Sequence, residues 1–272
     1  MASFFTYWEG PITKYELLCF LSHIQSGHSL KVFSNENLSL PKEIQQYPVN
    51  SVLKTNLLSL LSPAQKADLF RFQGLKQFGG EIWVDGDVLC AKEGSFQEEY
   101  IFAKEFETYV IGSLKFPRNH PLLDYVIAQQ ENALRAKTSL YWSALGPKIF
   151  DKAIREFQLE NRALETSQLY PLTFRDIDLL IDPGKYEDVQ RKITNSRSIH
   201  LYGEMFRRSK YPKHLFPPKG SFLFEQFKNL GFRVTSENTM DKKSFLAWKV
   251  RYLKTIQFIT LKSFTKYLKF IN

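Results

Sequence analysis

Two aspartates separated by one glycine are the residues of this sequence best suited to chemistry. Asp85, Gly86 and Asp87 follow an apolar run that begins after the pair Gly79 and Gly80. Alternate residues of a strand project to the same side, so both carboxylates are expected to point into one cleft. Two carboxylates this close repel each other unless a cation lies between them. Oxygen ligands favour Mg²⁺ or Mn²⁺ over Zn²⁺, and the usual partner of such an ion is a phosphate or diphosphate.

A strand and the helix before it are the elements that must position this pair. A serine N-cap followed by proline predicts a helix over residues 63–78, and residues 81–90 then read as an apolar strand. Near the start of the chain, an aromatic strand ending near Trp8, an amphipathic helix and a strand over residues 29–33 form a βαβ unit. The chain is therefore predicted to be α/β with a parallel sheet, whose carboxyl edge is where ligands bind.

Composition limits the class of protein. The chain has 272 residues, of which 43% are hydrophobic, so it can bury a sizeable core. Its two cysteines, Cys19 and Cys90, lie in apolar runs without metal-binding spacing. We expect both to be buried and the compartment to be reducing, which excludes a structural zinc site. No signal peptide and no apolar run long enough to cross a membrane is found, so a cytoplasmic location is expected.

The net charge of +9 is concentrated at one end. The last 33 residues contain eight Lys and Arg against the single acid Asp241. An amphipathic helix is predicted over residues 244–271, with an apolar stripe that includes Leu253 and Ile256. Its basic side is expected to contact an anionic membrane surface through Arg251, Lys254, Lys262, Lys266 and Lys269. The alternative is a terminal helix packed on the main domain, and confinement of the charge to this end disfavours nucleic-acid binding.

A longer motif surrounds the aspartate pair. Residues 67–87 read ADLFRFQGLKQFGGEIWVDGD. They resemble the signature of nucleotide-sugar glycosyltransferases with the GT-A fold, in which ADxxRxxxLxxxGG is followed by an aromatic residue and DxD. More closely, they resemble glycosyltransferase family 32 and the related α-1,4-galactosyltransferase-like capsular polysaccharide synthesis proteins. Residues 8–11 and 199–205 resemble two flanking blocks of that family, with Tyr202 where the family commonly has Trp.

This resemblance implies a fold and a role for each matched residue. The fold would be Rossmann-like and mixed, with a mostly parallel central sheet flanked by helices and a basic helical extension. Asp85 and Asp87 would be catalytic by holding Mn²⁺ or Mg²⁺ against the donor diphosphate, and His200 would complete the metal or phosphate site. The further donor-binding residues would be Trp8, Asp68, Arg71 and Gly86. A hydrogen-bonded structural His200 stays open as an alternative, and Asp68 and Arg71 are expected to form a hydrogen-bonding pair.

The function implied is a metal-dependent, retaining glycosyltransferase. It would move a hexose or N-acetylhexosamine from a nucleotide sugar, most often UDP-linked, to a hydroxyl of a bacterial lipopolysaccharide or capsule precursor. The expected location is the cytoplasm, with peripheral contact to the cytoplasmic face of the inner membrane. The expected division is a catalytic domain over residues 1–210, a linker and accessory segment over 211–243, and the basic helix over 244–272.

Three alternatives remain open from the residues. The first is a toxin-like glycosyltransferase whose acceptor is a protein side chain. The second is a phosphatase of the haloacid dehalogenase type, whose apolar strand also ends in DxDx[TV]. The third is a membrane adaptor with a degenerate, non-catalytic site. Metal binding, and donor turnover that depends on Asp85 and Asp87, would separate these cases.

Overall fold

The computed structural model describes residues 1–53, 58–91, 96–136 and 144–271, without the side chains of residues 58 and 262–271. Its strands are β1 (Ser3–Tyr7), β2 (Ser29–Phe33), β3 (Gln45–Tyr47), β4 (Ile82–Val84), β5 (Val88–Cys90), β6 (Lys104–Glu105), β7 (Thr108–Tyr109), β8 (Ser113–Leu114) and β9 (Ser198–His200). Its α-helices are α1 (Lys14–Gln25), α2 (Pro63–Gln77), α3 (Pro121–Arg135), α4 (Pro147–Glu156), α5 (Thr166–Leu169), α6 (Tyr186–Ile193), α7 (Gly203–Arg208), α8 (Phe222–Asn229) and α9 (Lys242–Ile271).

A five-stranded sheet forms the centre of the molecule, in the order β3-β2-β1-β4-β8. Strand β1 pairs parallel with β2 and β4, β2 pairs parallel with β3, and β8 runs antiparallel to β4. Phe4 and Phe5 of β1 are both buried, so helices cover both faces of the sheet. The predicted α/β class, with a mostly parallel central sheet flanked by helices, is confirmed.

Local signals define the two helices that connect the central strands. Thr13 and Glu16 form a capping box at the start of α1, and Ser62 and Gln65 form one at the start of α2. Gly27 takes a left-handed backbone just after α1, with φ of 74°. The βαβ unit is therefore present as predicted, and α2 ends within one residue of the predicted position.

The run over residues 81–90 differs from the prediction because it is not one strand. Strand β4 belongs to the central sheet, whereas β5 pairs antiparallel with β9 in a separate two-stranded sheet. Between them the backbone turns, with the Val88 amide donating to the Asp85 carbonyl at 3.1 Å. The two aspartates consequently lie in a turn between sheets rather than at alternate positions of a strand.

The segment after α7 packs against the first helix of the chain. The hydroxyls of Tyr15 and Tyr211 are 2.8 Å apart, and Phe216 is buried. Helix α9 packs on the body through Trp248 and Tyr252, which are both fully buried. The first half of α9 is therefore packed on the main body of the protein, as in the alternative to membrane contact.

The predicted basic side of α9 is described in part. Arg251 and Lys254 are exposed, whereas the side chains of Lys262, Lys266 and Lys269 lie outside the described residues. Of the predicted apolar stripe, Leu253 is exposed and Ile256 is half-buried. No helix in the described part of the chain has the length and apolarity needed to cross a membrane. Cys19 and Cys90 are both buried, as predicted.

Candidate active site

Three side chains that the sequence singled out meet at the junction of the two sheets. Asp85 follows β4, Asp87 precedes β5, and His200 ends β9, opposite Val88 in the antiparallel register. Each of the three offers one ligand atom, and these atoms all lie within 4.8 Å of one another. His200 Nε2 is 3.1 Å from Asp87 Oδ1, and all three side chains are half-buried. The pairing of β5 with β9 is what brings the histidine to the aspartates.

The two carboxylate oxygens of Asp85 have different surroundings. Its Oδ1 accepts hydrogen bonds from Arg71 Nη2 at 2.8 Å and from Trp83 Nε1 at 3.0 Å. Its backbone amide donates to the Gly112 carbonyl at 2.7 Å. A Cβ added at Gly112 would lie 3.5 Å from Oδ2, so the absent side chain leaves room beside that oxygen. Asp85 Oδ2 is therefore the oxygen available to a ligand.

Asp87 is fixed by the segment that carries the histidine. Its Oδ2 accepts from the Gly203 amide at 2.6 Å, and its carbonyl accepts from the Leu201 amide at 2.9 Å. The His200 ring stacks on the Tyr202 ring with centroids 4.1 Å apart. Tyr202 in turn donates from its hydroxyl to Glu105 Oε1 at 2.8 Å. The orientation of the histidine is thus set from both sides, by Asp87 and by Tyr202.

The pKa values of the two aspartates are shifted in opposite directions. Burial raises the pKa of Asp85, with Asp87 adding to the increase and the Arg71 guanidinium opposing it. Burial also penalises the charged form of Asp87, but His200 and the Gly203 amide hold the pKa of Asp87 well below its usual range. For His200, burial opposes the charged form, yet Asp87 raises the pKa to about 8. Without a ligand, Asp87 and His200 therefore form an ion pair.

Asp68 and Arg71 lie behind Asp85, but their contact differs from the predicted hydrogen-bonded pair. The Asp68 Oδ1 to Arg71 Nη2 distance is 3.6 Å, because that nitrogen donates to Asp85 instead. The Asp68 carboxyl packs against Gly146, where an added Cβ would come within 2.4 Å of Oδ1. Burial raises the pKa of Asp68 to about 7, against the opposing charge of Arg71.

Arg71 is a buried cation with unused donors. Its side chain is 4% exposed, and its Nε and Nη1 have no hydrogen-bond partner among the described residues. Its guanidinium carbon lies 4.9 Å from the centre of the Trp83 ring. An unpaired buried donor costs about 1–3 kcal/mol, so stability alone does not explain an arginine in this position.

Trp8 lies directly against the turn that carries the aspartates. A Cβ at Gly86 would come within 2.7 Å of the Trp8 ring, so any larger residue would displace the indole. The indole Nε1 donates to the Gly10 carbonyl at 2.9 Å, and the ring meets Phe20 edge-on. The structure therefore brings Trp8 and Gly86 together next to the carboxylates.

Several residues of the site were missed by sequence reasoning. Trp83 stands two positions before Asp85, so the shared side of a strand was a signal for their hydrogen bond. Glu105 comes from the β6–β7 hairpin, and Tyr170, whose hydroxyl accepts from the Ser113 amide at 3.0 Å, follows α5. Neither carried a local signal, because both reach the site through tertiary packing.

The residues present fit a divalent cation. Asp85, Asp87 and His200 supply two carboxylate oxygens and one imidazole nitrogen, and the separation of these atoms, within 4.8 Å of one another, suits ligands of one ion. Carboxylates suit Mg²⁺ and Mn²⁺, and the imidazole shifts the preference toward Mn²⁺. The histidine must lose its proton to bind, which breaks its ion pair with Asp87. The Gly203 amide and the Arg71 guanidinium hold the other carboxylate oxygens in place.

The chain is similar in sequence to a known protein over part of its length, and no protein-family model matches it. Over 109 residues the chain is 32% identical to an uncharacterized glycosyltransferase of Acanthamoeba polyphaga mimivirus, covering 36% of this chain and 41% of that protein. The chain therefore spans less than half the length of that relative, and over that region it is homologous to a protein described as a glycosyltransferase.

Two solved structures match the chain at low sequence identity. The PaToxG glycosyltransferase matches with 12% identity and a TM-score of 0.44, over 92% of this chain and 84% of that one. The apo structure of the bifunctional glycosyltransferase WbbM matches with 12% identity and a TM-score of 0.46, over 91% of this chain and 51% of that one.

Proposed function

We propose that this protein is a glycosyltransferase that uses Mn²⁺ or Mg²⁺ to transfer a sugar from a nucleotide-sugar donor. The observation that carries the proposal is the meeting of Asp85, Asp87 and His200, whose ligand atoms lie within 4.8 Å of one another. The homology of the aligned region to a glycosyltransferase supports the same class. The residue resemblance to glycosyltransferase family 32 is independent of the structure and points the same way.

Each group at the site has a distinct task in such a transfer. A bound divalent ion supplies positive charge that stabilises the diphosphate leaving group. Asp85, Asp87 and His200 would hold that ion, with Arg71 and Trp83 fixing the orientation of Asp85. Trp8, which lies against Gly86, offers an aromatic face for the nucleobase of the donor. The half-buried site limits the access of water that would otherwise compete with the acceptor hydroxyl.

The finer features of the reaction follow from the resemblance. We propose a UDP-linked hexose or N-acetylhexosamine as donor, retention of configuration, and a bacterial surface-glycan precursor as acceptor. Release of nucleoside diphosphate, rather than of inorganic phosphate, distinguishes this reaction from that of a phosphatase. A product with the sugar on a protein side chain would instead identify the toxin-like alternative.

The test is a panel of nucleotide sugars incubated with the protein and Mn²⁺, with release of nucleoside diphosphate as the readout. Asp85→Asn and Asp87→Asn keep the size of each side chain but remove a charge that the ion requires. We expect each substitution to lower turnover by about 100-fold or more, and to weaken Mn²⁺ binding measured by electron paramagnetic resonance.

The matched control is Asp124→Asn on α3. Asp124 is 60% exposed and pairs with Lys76 on the surface, so its substitution should leave turnover and Mn²⁺ binding unchanged. The proposal fails if the wild type turns over no donor of the panel. It also fails if Asp85→Asn and Asp87→Asn behave like the control.

A further inference from the structure

A groove at the base of α9 lies among residues that the proposed active site does not use. It encloses about 1200 Å³ between the residues around α8, the loop over residues 232–241 and the first turns of α9. Its apolar lining consists of Phe224, Phe232, Val234, Phe245 and Leu246. Four exposed cations also line the groove, and we call them its rim: Lys219, Lys228, Arg233 and Lys242.

The acids that line this groove are already engaged. Asp182 accepts from Lys249 Nζ at 2.8 Å, and Asp241 Oδ1 accepts from the Ser244 amide at 2.7 Å. Of the rim cations, Lys228 lies 3.4 Å from Glu225, while Lys219, Arg233 and Lys242 form no ion pair with the described residues. Asp241 keeps its negative charge, because an amide hydrogen bond does not neutralise a carboxylate. The groove therefore has a net positive charge, with Lys219, Arg233 and Lys242 against this one acid.

The exposed side of α9 continues this surface. Leu246, Val250 and Leu253 follow one another at helical spacing and are 50%, 53% and 51% exposed. They lie away from the side that Trp248 and Tyr252 bury against the body. Exposed basic residues flank the stripe, namely Lys243, Arg251 and Lys254. Leu246 also lines the groove, so groove and stripe form one surface, which we call the α9 face.

We infer that the α9 face binds the surface of an anionic phospholipid bilayer. Its apolar residues can enter the boundary between headgroups and acyl chains, while its cations meet the negative lipid headgroups. A second copy of the chain is a poor occupant, because a symmetric contact would place this cationic face against itself. A nucleic acid would match the charge but would leave the apolar stripe in water. This inference does not depend on the proposed function.

Flotation of the full chain with vesicles tests the inference, without donor or metal. One set of vesicles contains phosphatidylcholine alone, and the other contains phosphatidylcholine and phosphatidylserine in equal amounts. We expect binding to the anionic set, weakened by salt. Arg233→Gln with Lys242→Gln should weaken it about 25-fold, at about five-fold for each charge. Leu246→Ser with Leu253→Ser should also weaken it, at low and at high salt alike.

The matched control is Lys42→Gln with Lys152→Gln, which removes the same net charge from two other exposed positions. It should change binding by less than about two-fold, since charge far from the surface is screened. Thermal unfolding checks that each variant is folded. If the serine variant unfolds, the Arg233→Gln/Lys242→Gln variant still tests the inference, because it replaces only exposed side chains.

Three results would overturn the inference. The first is equal binding of the wild type and the Arg233→Gln/Lys242→Gln variant, and the second is equal binding of the wild type to both vesicle sets. The third is a wild-type dimer in size-exclusion chromatography that the serine variant dissociates while its flotation stays unchanged, since the face would then be an interface between copies. Because flotation uses no donor, these results can be interpreted even if the proposed glycosyl transfer fails.

Discussion

Asp85 shows how neighbouring side chains fix the geometry of the candidate site. Arg71 and Trp83 hold one of its oxygens, and the glycine at position 112 leaves the other one accessible. Groups fixed in this way need little rearrangement on binding, which favours tight and specific contact. The same logic applies to His200, which lies between Asp87 and the ring of Tyr202.

Tyr202 provides a test of that positioning, because its ring and its hydroxyl have separate partners. Tyr202→Phe keeps the stack on His200 but removes the bond to Glu105, so we expect a loss of about 1 kcal/mol in the free energy of unfolding. Mn²⁺ affinity should stay within about three-fold. Tyr202→Ala removes the stack as well, and Mn²⁺ affinity should then fall by about 10–100-fold.

Urea unfolding and Mn²⁺ titration measure the two effects separately. If Tyr202→Phe and Tyr202→Ala weaken Mn²⁺ binding equally, the hydroxyl rather than the ring positions the histidine. If neither variant weakens it, Tyr202 has no positioning role.

The sequence predicts the centre of the site better than its periphery. Asp85 and Asp87 stand out because two acids beside a glycine, after an apolar run, suit a cation. His200 could be linked to them only through the resemblance, since 112 positions separate it from Val88, its partner in the strand register. The Arg71 bond to Asp85 was not expected, because helical spacing favoured Asp68 as its partner. A local sequence pattern cannot show that Asp68 and Asp85 compete for the same guanidinium group.

Among the elements, α2 and β1 make a contact so close that it requires glycine. A Cβ at Gly74 would come within 2.4 Å of the Phe5 ring. That ring cannot move easily, because it also packs against Phe70, Phe78 and Trp83. The helix that carries Arg71 therefore lies nearer to the sheet than a side chain at position 74 would permit.

We expect Gly74→Ala to lower the free energy of unfolding by up to about 2 kcal/mol. Alanine favours the helix by about 1 kcal/mol over glycine, but overpacking a core costs about 1–3 kcal/mol. Urea unfolding measures the net effect. Gln73→Ala, one residue earlier and half-buried, is the control and should change the free energy by less than about 0.5 kcal/mol. A more stable Gly74→Ala variant would show that Phe5 has room to move.

The elements that the sequence predicts are those with complete local signals. Capping serine and proline define α2, and the spacing of apolar residues with Gly27 defines α1. The division of residues 81–90 between two sheets has no such signal. It depends on β5 pairing with β9, more than 100 positions later, and on the Gly112 carbonyl accepting the Asp85 amide. An apolar run alone does not show where one sheet ends and another begins.

At the scale of the whole molecule, one apolar core joins the sheet to the C-terminal elements. Phe4 of β1, Tyr15 of α1 and Trp248 of α9 belong to the same buried cluster. The helix that carries the α9 face is thus anchored on the body that carries the site. His23 lies in the same region, on α1, and its Nε2 is 3.2 Å from the carbonyl oxygen of Val88 in β5.

His23 makes stability depend on pH. Burial lowers the pKa of His23 from 6.5 to about 4, with the Val88 bond opposing the decrease and His28 adding to it. The unfolded chain therefore binds this proton more readily than the folded one. The stabilisation is complete above pH 6.5 and is lost as the pH falls toward about 4. The loss is about 3 kcal/mol, because each pKa unit is worth about 1.4 kcal/mol.

We expect His23→Gln, which keeps a donor toward Val88, to remove this dependence. The raised pKa of Asp68 acts in the opposite sense over a similar range, so the difference between variant and wild type is the quantity to measure. Urea unfolding above pH 6.5 and near pH 4 gives that difference. Relative to the wild type, the variant should gain stability as the pH falls. A constant difference would mean that His23 is accessible to protons in the folded state.

The turn between β4 and β5 is also a seam between two sheets. Asp85 stands on the five-stranded side, and Asp87 and His200 stand on the two-stranded side. An ion bound by all three side chains would link the five-stranded sheet to the two-stranded sheet. At a concentration of 100 times its dissociation constant, such an ion would raise the free energy of unfolding by about 2.7 kcal/mol. Removal of the ion by a chelator would then destabilise the contact between the two sheets. We expect limited proteolysis to cleave first at this turn between β4 and β5.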